Sequence, residues 1–513
     1  MPQAAPSSSD TADLRAAVLL IAGLTLARLV TLFSTPLELY PDEAQYWLWS
    51  RVLDFGYYSK PPVVAWAIWA TTKLGSDAEP WVRLSAPIFQ AGASLIVFAI
   101  ARRLYGSNTA LAATALYALM PAVQLSSLVA ATDAPLLFFL GLTIWAWTAL
   151  QTAEGRSRLM LAAAVGASLG MAFLSKYAAV YGMIGIGLHL VLSTQARSRM
   201  SPAAIALAVG TFAAILAPNV AWNAHHHFAT LHHTAANAAW GGRKLFNADQ
   251  LGEFLLAQFG AFGPIPFAVL IAGCAIFAWR RRLTSQDILL LCFTLPPLFI
   301  VTVQAFVSRA NANWSGASYL PGAILVAAWL IRWRAKKTLI AALAINAITA
   351  AVFLSCVVSP RFADTIGVAN SFKRAKGWSE ATRLILDRAR TDGDFSAIAV
   401  NNRFLYYAIS YYGRRELKSP ATPPLKAWLL SPQPQNQAET AAPLTVASGQ
   451  RVLGVAYEGA WRDEMMADFA TISSREIASV YLDRKHKRRL DLFVGEGFSP
   501  RPRDPVSGHP IRP

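Results

Sequence analysis

From residue 14 to residue 358 the chain alternates between long apolar runs and short polar connections. A helix needs about 20 mostly apolar residues to cross a bilayer. By that measure the pattern predicts eleven spans, at 14–34, 82–101, 108–128, 134–151, 158–174, 177–194, 202–222, 254–279, 286–306, 315–331 and 338–358. The fifth and sixth are short and almost abut at Ser175-Lys176, which reads as a hairpin turning inside the protein. After residue 358 the apolar runs shorten and their period changes. Residues 377–390 place Trp378, Ala381, Leu384, Ile385 and Ala389 at helical spacing. Strands are expected at 395–400, 451–457, 476–483 and 488–495, helices at 404–412 and 461–469, and a loop over 415–450. The fold class is therefore an α-helical polytopic membrane protein with a small C-terminal α/β domain.

Composition agrees. Of the 513 residues 55% are hydrophobic and 15% charged, with mean hydropathy +0.37, where a soluble domain carries about 25% charge. A cytosolic enzyme, a secreted protein and a disordered chain are excluded. The net charge of +17 is explained by topology rather than by nucleic acid. Arg102-Arg103, Arg156/Arg158, Arg197/Arg199, Arg280-Arg281-Arg282 and Arg332/Arg334/Lys336/Lys337 put thirteen basic residues into every second loop. By the positive-inside rule that face is cytoplasmic, and the opposite face and the C-terminal domain are periplasmic or otherwise external. The expected layout is a cytoplasmic tail at 1–13, a transmembrane domain at 14–358, the α/β domain at 359–498 and a disordered Pro/Arg-rich tail at 499–513. The first span reads as an uncleaved anchor. Arg28 inside it either faces a polar interior or snorkels to a headgroup. Cys274, Cys292 and Cys356 all lie in apolar runs, with no disulfide or zinc spacing.

Polar residues gather on the external face. The first external loop carries Tyr40-Pro41-Asp42-Glu43, then Tyr46, Trp47 and Trp49, then Gly56-Tyr57-Tyr58-Ser59-Lys60-Pro61-Pro62. The second carries Thr132-Asp133-Ala134-Pro135, and Ser175-Lys176-Tyr177 sits at the hairpin apex. Each has a plain structural reading. Asp42 and Glu43 suit a helix N-terminus, Asp133 suits an N-cap, Lys60 an interface anchor, and the aromatics a membrane belt. Their convergence at one depth on one face suits a site that holds a phosphate and activates a hydroxyl.

The Asp42-Glu43 pair, the Gly56–Pro62 segment, Thr132–Pro135 and Ser175–Tyr177, taken in order, resemble glycosyltransferase family 39. That set includes the protein O-mannosyltransferases and the lipid A aminoarabinose transferase, with the GT-C type fold. Ala312-Asn313-Trp314 is similar to the bacterial branch, and the resemblance spans roughly residues 14–358. It implies transfer of a sugar from a polyprenyl-phosphate carrier, outside the cytoplasm, with inversion. By motif position Asp42 corresponds to the catalytic base, with Glu43 in support and Asp133 orienting the acceptor or Asp42. Lys60, assisted by Lys176, would hold the donor phosphate, as a lysine does well. Tyr46, Tyr57, Tyr58, Tyr177, Asn313 and Trp314 would line the substrates. A base so placed is worth about 10²–10⁴-fold.

The family's aminoarabinose transferase has a glutamate, implicated in metal binding, where this chain has Ser59. That counts against a metal there and leaves no cofactor assigned. His225, His226, His227, His232 and His233 offer a divalent metal a site by count, but no carboxylate flanks them, so a solvated loop is the expectation. The implied partners are a polyprenyl-phosphate-linked sugar donor, a glycolipid acceptor in lipid A or lipopolysaccharide core, and membrane lipids. Galacturonosyl and mannosyl transfer both fit. Protein O-mannosylation is the second reading. A lipid-linked sugar transporter or flippase is the third, disfavoured by the absence of an internal repeat and of midplane polar motifs.

Overall fold

A computed structural model describes residues 8–237, 246–280, 283–457, 459 and 461–504. Arg281, Arg282 and residues 505–513 of the expected disordered tail lie outside the described residues. The chain divides into two compact units. A helical unit holds the chain up to Ser34, Asp54–Gly56 and Lys60–Ser355. The second unit holds Thr35–Leu53, Tyr57–Ser59 and the chain from Cys356. Most of residues 35–59 thus group with the chain from Cys356.

Among the described residues eight helices are long and apolar enough to span, and nine if one bent pair counts as a single span. The eight are Asp10–Ser34, Glu79–Tyr105, Asp133–Leu150, Gly155–Ser175, Pro202–His225, Ser285–Val307, Ala312–Arg332 and Lys336–Val358. Leu19, Val191, Leu256 and Phe299 leave large apolar side chains on the outer faces, as lipid contact requires. The count of eleven is corrected at three places. Residues 108–128 break into Ser107–Ala118 and Pro121–Ser126, because Pro121 starts a new helix after an extended Met120. Residues 254–279 are Ala248–Phe262 and Pro264–Arg280, bent by 114° at Gly263. Gly263 has φ +101°, a conformation that favours glycine. The third, Tyr177–Leu192, is apolar but short. One apolar helix, Val63–Leu74, was not anticipated.

The break at Met120 explains Arg28. Its Nη2 donates to the Ala118 carbonyl at 2.6 Å and its Nε to Gln124 Oε1 at 3.2 Å, while Gln124 Nε2 reaches the same carbonyl. Arg28 is 1% exposed, so the interior reading holds and snorkelling does not. Near the basic-loop ends, buried Asp287 receives Arg332 at 2.7 and 3.1 Å and the Tyr105 hydroxyl at 2.8 Å.

The C-terminal unit contains a five-stranded sheet in the order β2-β1-β3-β5-β4. The strands are β1 Ala397–Val400, β2 Leu425–Ala427, β3 Arg451–Tyr457, β4 Phe469–Tyr481 and β5 Lys487–Phe498. β1 pairs in parallel with β2 and β3, and β5 runs antiparallel to β3 and β4. Helices Trp378–Thr391 and Arg403–Tyr412 share one apolar cluster with β1, β3 and β5, through Ile385, Leu405, Ile409, Val455 and Leu492. β2 falls inside the expected loop, since three residues are too few to show a period. Residues 499–504 fold onto Asp468. The buried carboxylate takes Arg501 at 3.2 Å, Arg503 at 2.5 Å and the Trp428 indole at 2.9 Å.

Replacing Asp468 by Asn leaves Arg503 without its counter-charge. We expect destabilisation of about 3–5 kcal/mol, the cost of breaking a buried pair from one side. Thermal unfolding of the purified variant checks it.

Candidate active site

Within the helical unit, three sequence motifs meet at Asp133. Thr132 precedes the helix Asp133–Leu150, and Asp133 is its first residue rather than its N-cap. Its carboxylate is spent elsewhere. Oδ1 pairs with Lys176 Nζ at 2.8 Å, and Oδ2 accepts from Asn313 Nδ2 at 3.3 Å. Asp133 and Lys176 side chains are each 18% exposed, half sheltered but reachable. Lys176 stands in an extended link between the helix Gly155–Ser175 and the turn Tyr177–Ala179, and this aims it away from the helix axis. One of its three donors is used on Asp133, and an ammonium keeps two more.

Buried Gln258, from the helix Ala248–Phe262, fixes Asn313. Gln258 Oε1 accepts from the Ser315 and Tyr319 hydroxyls at 2.9 Å each, and its Nε2 donates to the Ala312 carbonyl at 3.2 Å. These bonds tie down both ends of the turn Ala312–Ser318. Trp314 packs beside Phe254, Val301 and Ala305. Tyr177 donates its hydroxyl to Asn219 Oδ1 at 3.0 Å and accepts from Asn223 Nδ2 at 3.1 Å. Asn219 Nδ2 in turn donates to the Phe55 carbonyl at 2.6 Å. The Trp222 indole binds Asp54 Oδ2 at 2.7 Å, and its ring lies where a Cβ on Gly56 would stand, at 2.4 Å. Only glycine permits that approach. Lys60 is partly buried, just before the helix Val63–Leu74.

A cavity of about 450 Å³ opens in the same unit between the bent pair and the helix Ser285–Val307. Phe254, Leu270, Cys274, Leu298 and Phe299 line it, and Gln258 adds a polar wall.

Asp42, Glu43, Tyr46, Tyr57 and Tyr58 belong to the other unit. There the helix Pro41–Trp49 carries Asp42 and Glu43 in its first turn. Glu43 is fully buried, and its Oε2 accepts from the Tyr40 N–H at 2.8 Å, closing the helix start. Asp42 faces outward, 48% exposed, with Arg403 Nη1 at 3.3 Å. The segment before the helix is anchored on the C-terminal domain. Glu38 accepts from the backbone of Trp378 and Ser379, and the Leu39 N–H donates to the Tyr412 hydroxyl at 2.8 Å. Tyr57 stacks on Trp49 at 4.9 Å, and its hydroxyl donates to the Trp49 and Val52 carbonyls. Tyr46 adjoins Trp49 at 5.3 Å. Both tyrosines are buried, which leaves Tyr58 as the accessible one of the pair. Its hydroxyl donates to the Pro434 carbonyl at 2.9 Å. Burial and then Glu439 hold its phenol above the ordinary range, so it stays a neutral donor.

Gln45, Asn219, Asn223, Gln258 and Arg403 were not among the expected residues. A polar signal existed for three of them, because Asn219, Asn223 and Gln258 interrupt apolar runs. Nothing local marked Arg403. Among the described residues no three His, Cys, Asp or Glu side chains gather as metal ligands, and Ser59 is buried.

Lys176→Met, Asp133→Asn and the double variant should show a coupling of about 0.5–3 kcal/mol, as for groups in direct contact. Thermal unfolding of the four proteins measures it.

Residues 59–222 match the dolichyl-phosphate-mannose-protein mannosyltransferase family. The lipid A galacturonosyltransferase RgtD of Rhizobium johnstonii is 37% identical over 348 residues, covering 67% of this chain and 72% of that protein. Among solved structures, the apo crystal structure of ArnT from Cupriavidus metallidurans aligns with TM-score 0.63 at 16% identity, over 93% of this chain and 97% of that one. Its undecaprenyl phosphate-bound form aligns at 0.64 and 15%, with the same coverage. The fold is thus GT-C, carried on a multi-pass helical scaffold with a C-terminal sheet domain. With the motifs of residues 42–62, 132–135 and 175–177 in place, the chain belongs to the family 39-type GT-C membrane glycosyltransferases and is an enzyme of that class.

Proposed function

We propose that this enzyme transfers a sugar, galacturonate in the first instance, from a polyprenyl-phosphate carrier to a hydroxyl of lipid A. The transfer takes place on the periplasmic face of a bacterial inner membrane. The observation that carries the substrate assignment is the 37% identity to a lipid A galacturonosyltransferase. Orientation rests on the thirteen basic residues in alternate loops.

The chemistry follows from the residues. A hydroxyl is a weak nucleophile, and Asp42 accepts its proton as the oxygen attacks the anomeric carbon. The carbon–oxygen bond to the carrier breaks on the opposite side, so one displacement inverts the centre, and the electron pair leaves on the phosphate. Lys60 neutralises that leaving group, with Lys176 as a second cation. Asp133 keeps Lys176 in place, and Asn313 keeps Asp133 in place. Glu43 supports Asp42 by closing the helix that bears it. Tyr58 and Tyr177, their hydroxyls fixed on Pro434 and Asn219, line the substrates. Tyr46, Tyr57 and Trp314 shape the walls. The carrier's apolar tail needs a dry surface, and the cavity beside Gln258 supplies one in the helical unit.

Two outcomes are expected. Lipid A from cells lacking the protein loses one sugar mass by mass spectrometry. The wild-type gene restores it and Asp42→Asn does not, although the variant still inserts. Identical lipid A in all three would remove lipid A as acceptor and turn the search to proteins, the acceptor class of the mannosyltransferase family matched at 59–222. For Lys60→Ala the KM for carrier-linked donor rises about tenfold or more, the loss of one charge-assisted contact. An unchanged KM removes Lys60 from the phosphate.

A further inference from the structure

Asp42 is second in its helix and about half exposed, so packing does not fix its carboxylate. The group beside it is fixed. Arg403 Nη1 lies 3.3 Å from Asp42 Oδ1 and also donates to Gln45 Oε1 at 2.9 Å. Gln45, one turn further along the same helix, is fully buried. The guanidinium lies over the Phe404 ring at 4.7 Å. Arg403 opens the helix Arg403–Tyr412, whose start is closed by Asn402 accepting from the Phe404 N–H at 2.8 Å. That helix packs on Pro41–Trp49. Trp47 meets Tyr411 edge-on at 5.0 Å, and Arg414 lies over Trp47 at 5.9 Å. The arginine is thus held by its neighbours, and the carboxylate is held by the arginine.

We infer that Arg403 is a positioning residue for Asp42, an assignment that rests on the reading of Asp42 as the base. A half-exposed aspartate samples several rotamers, and only those facing the acceptor hydroxyl are productive. A fixed N–H donor on one oxygen selects among them and leaves the second oxygen's lone pairs for the incoming proton. An arginine suits the task because it stays charged and never competes for that proton. The base and its orienting group lie 361 residues apart in sequence. The C-terminal domain therefore takes part in the chemical step.

The test uses the full-length protein in nanodiscs with undecaprenyl phosphate-linked galacturonate and lipid A. Arg403→Gln is expected to lower kcat about 10- to 100-fold, the usual cost of a misplaced catalytic group. KM for both substrates should stay within about twofold, since a transition-state interaction is lost and ground-state binding is not. Arg403→Lys should recover most of kcat, and the melting temperatures of both variants should match the wild type. Wild-type kcat in Arg403→Gln overturns the inference. So does a loss confined to KM, which would make Arg403 a substrate contact. A loss with a lowered melting temperature that lysine does not repair would make it scaffold. Asp42→Asn, measured alongside, separates the two layers. An active Asp42→Asn removes the base and this inference together. An inactive Asp42→Asn beside a fully active Arg403→Gln removes Arg403 alone.

Discussion

A helix that breaks within an apolar layer frees backbone groups that water cannot reach, and every such break needs a polar side chain to meet it. This constraint organises the helical unit. At Met120 the freed Ala118 carbonyl is met by Arg28 and Gln124. At the turn Ala312–Ser318 the Ala312 carbonyl is met by Gln258. After Ser175 the chain runs extended through Lys176, and Tyr177 docks on two asparagines one turn apart. Two of these three breaks carry candidate site residues. Irregular backbone is where a membrane enzyme can point a lysine or an amide out of a helix. The groups that pay for the irregularity also set its geometry.

The two groups of candidate site residues, one in each unit, are stabilised by different physics. Asp133, Lys176 and Asn313 form a small ionic and hydrogen-bonded knot among helix ends, where partial shelter strengthens each contact. Asp42 sits on a nine-residue helix too short to persist alone. That helix is stable because its apolar side, with Trp47 and Trp49, is buried, and because Glu38 and Leu39 tie its approach to the helices Trp378–Thr391 and Arg403–Tyr412. The covalent neighbour of a membrane span thus owes its conformation to residues more than 300 positions away.

What the sequence made legible follows the same division. Eight spans were visible because hydropathy is additive along a window, and the C-terminal strands and helices because their periods persist over several residues. The breaks at Pro121 and Gly263-Pro264 were hidden by the same averaging, which counts a proline inside an apolar run as a small perturbation. Asp133, Lys176 and Asn313 were each visible as polar residues at span ends. That the three meet was not, since their contacts span 43 and 180 residues. Tyr46 and Tyr57 were visible as loop aromatics, but that both pack on Trp49 was not, since no period relates them to it.

Arg403 marks the limit most clearly. It is one of 46 Lys and Arg residues, in a domain the family motifs do not reach, and its only local feature is to follow the helix-capping Asn402. Its significance comes from where a different helix places a carboxylate. A motif records the residues that touch the reacting atoms. The groups that orient those residues are chosen by packing, so they can sit on whatever element the fold brings near. In this fold that element belongs to the C-terminal domain, and the motifs alone account for the Asp42 carboxylate we propose as base without accounting for the guanidinium beside it.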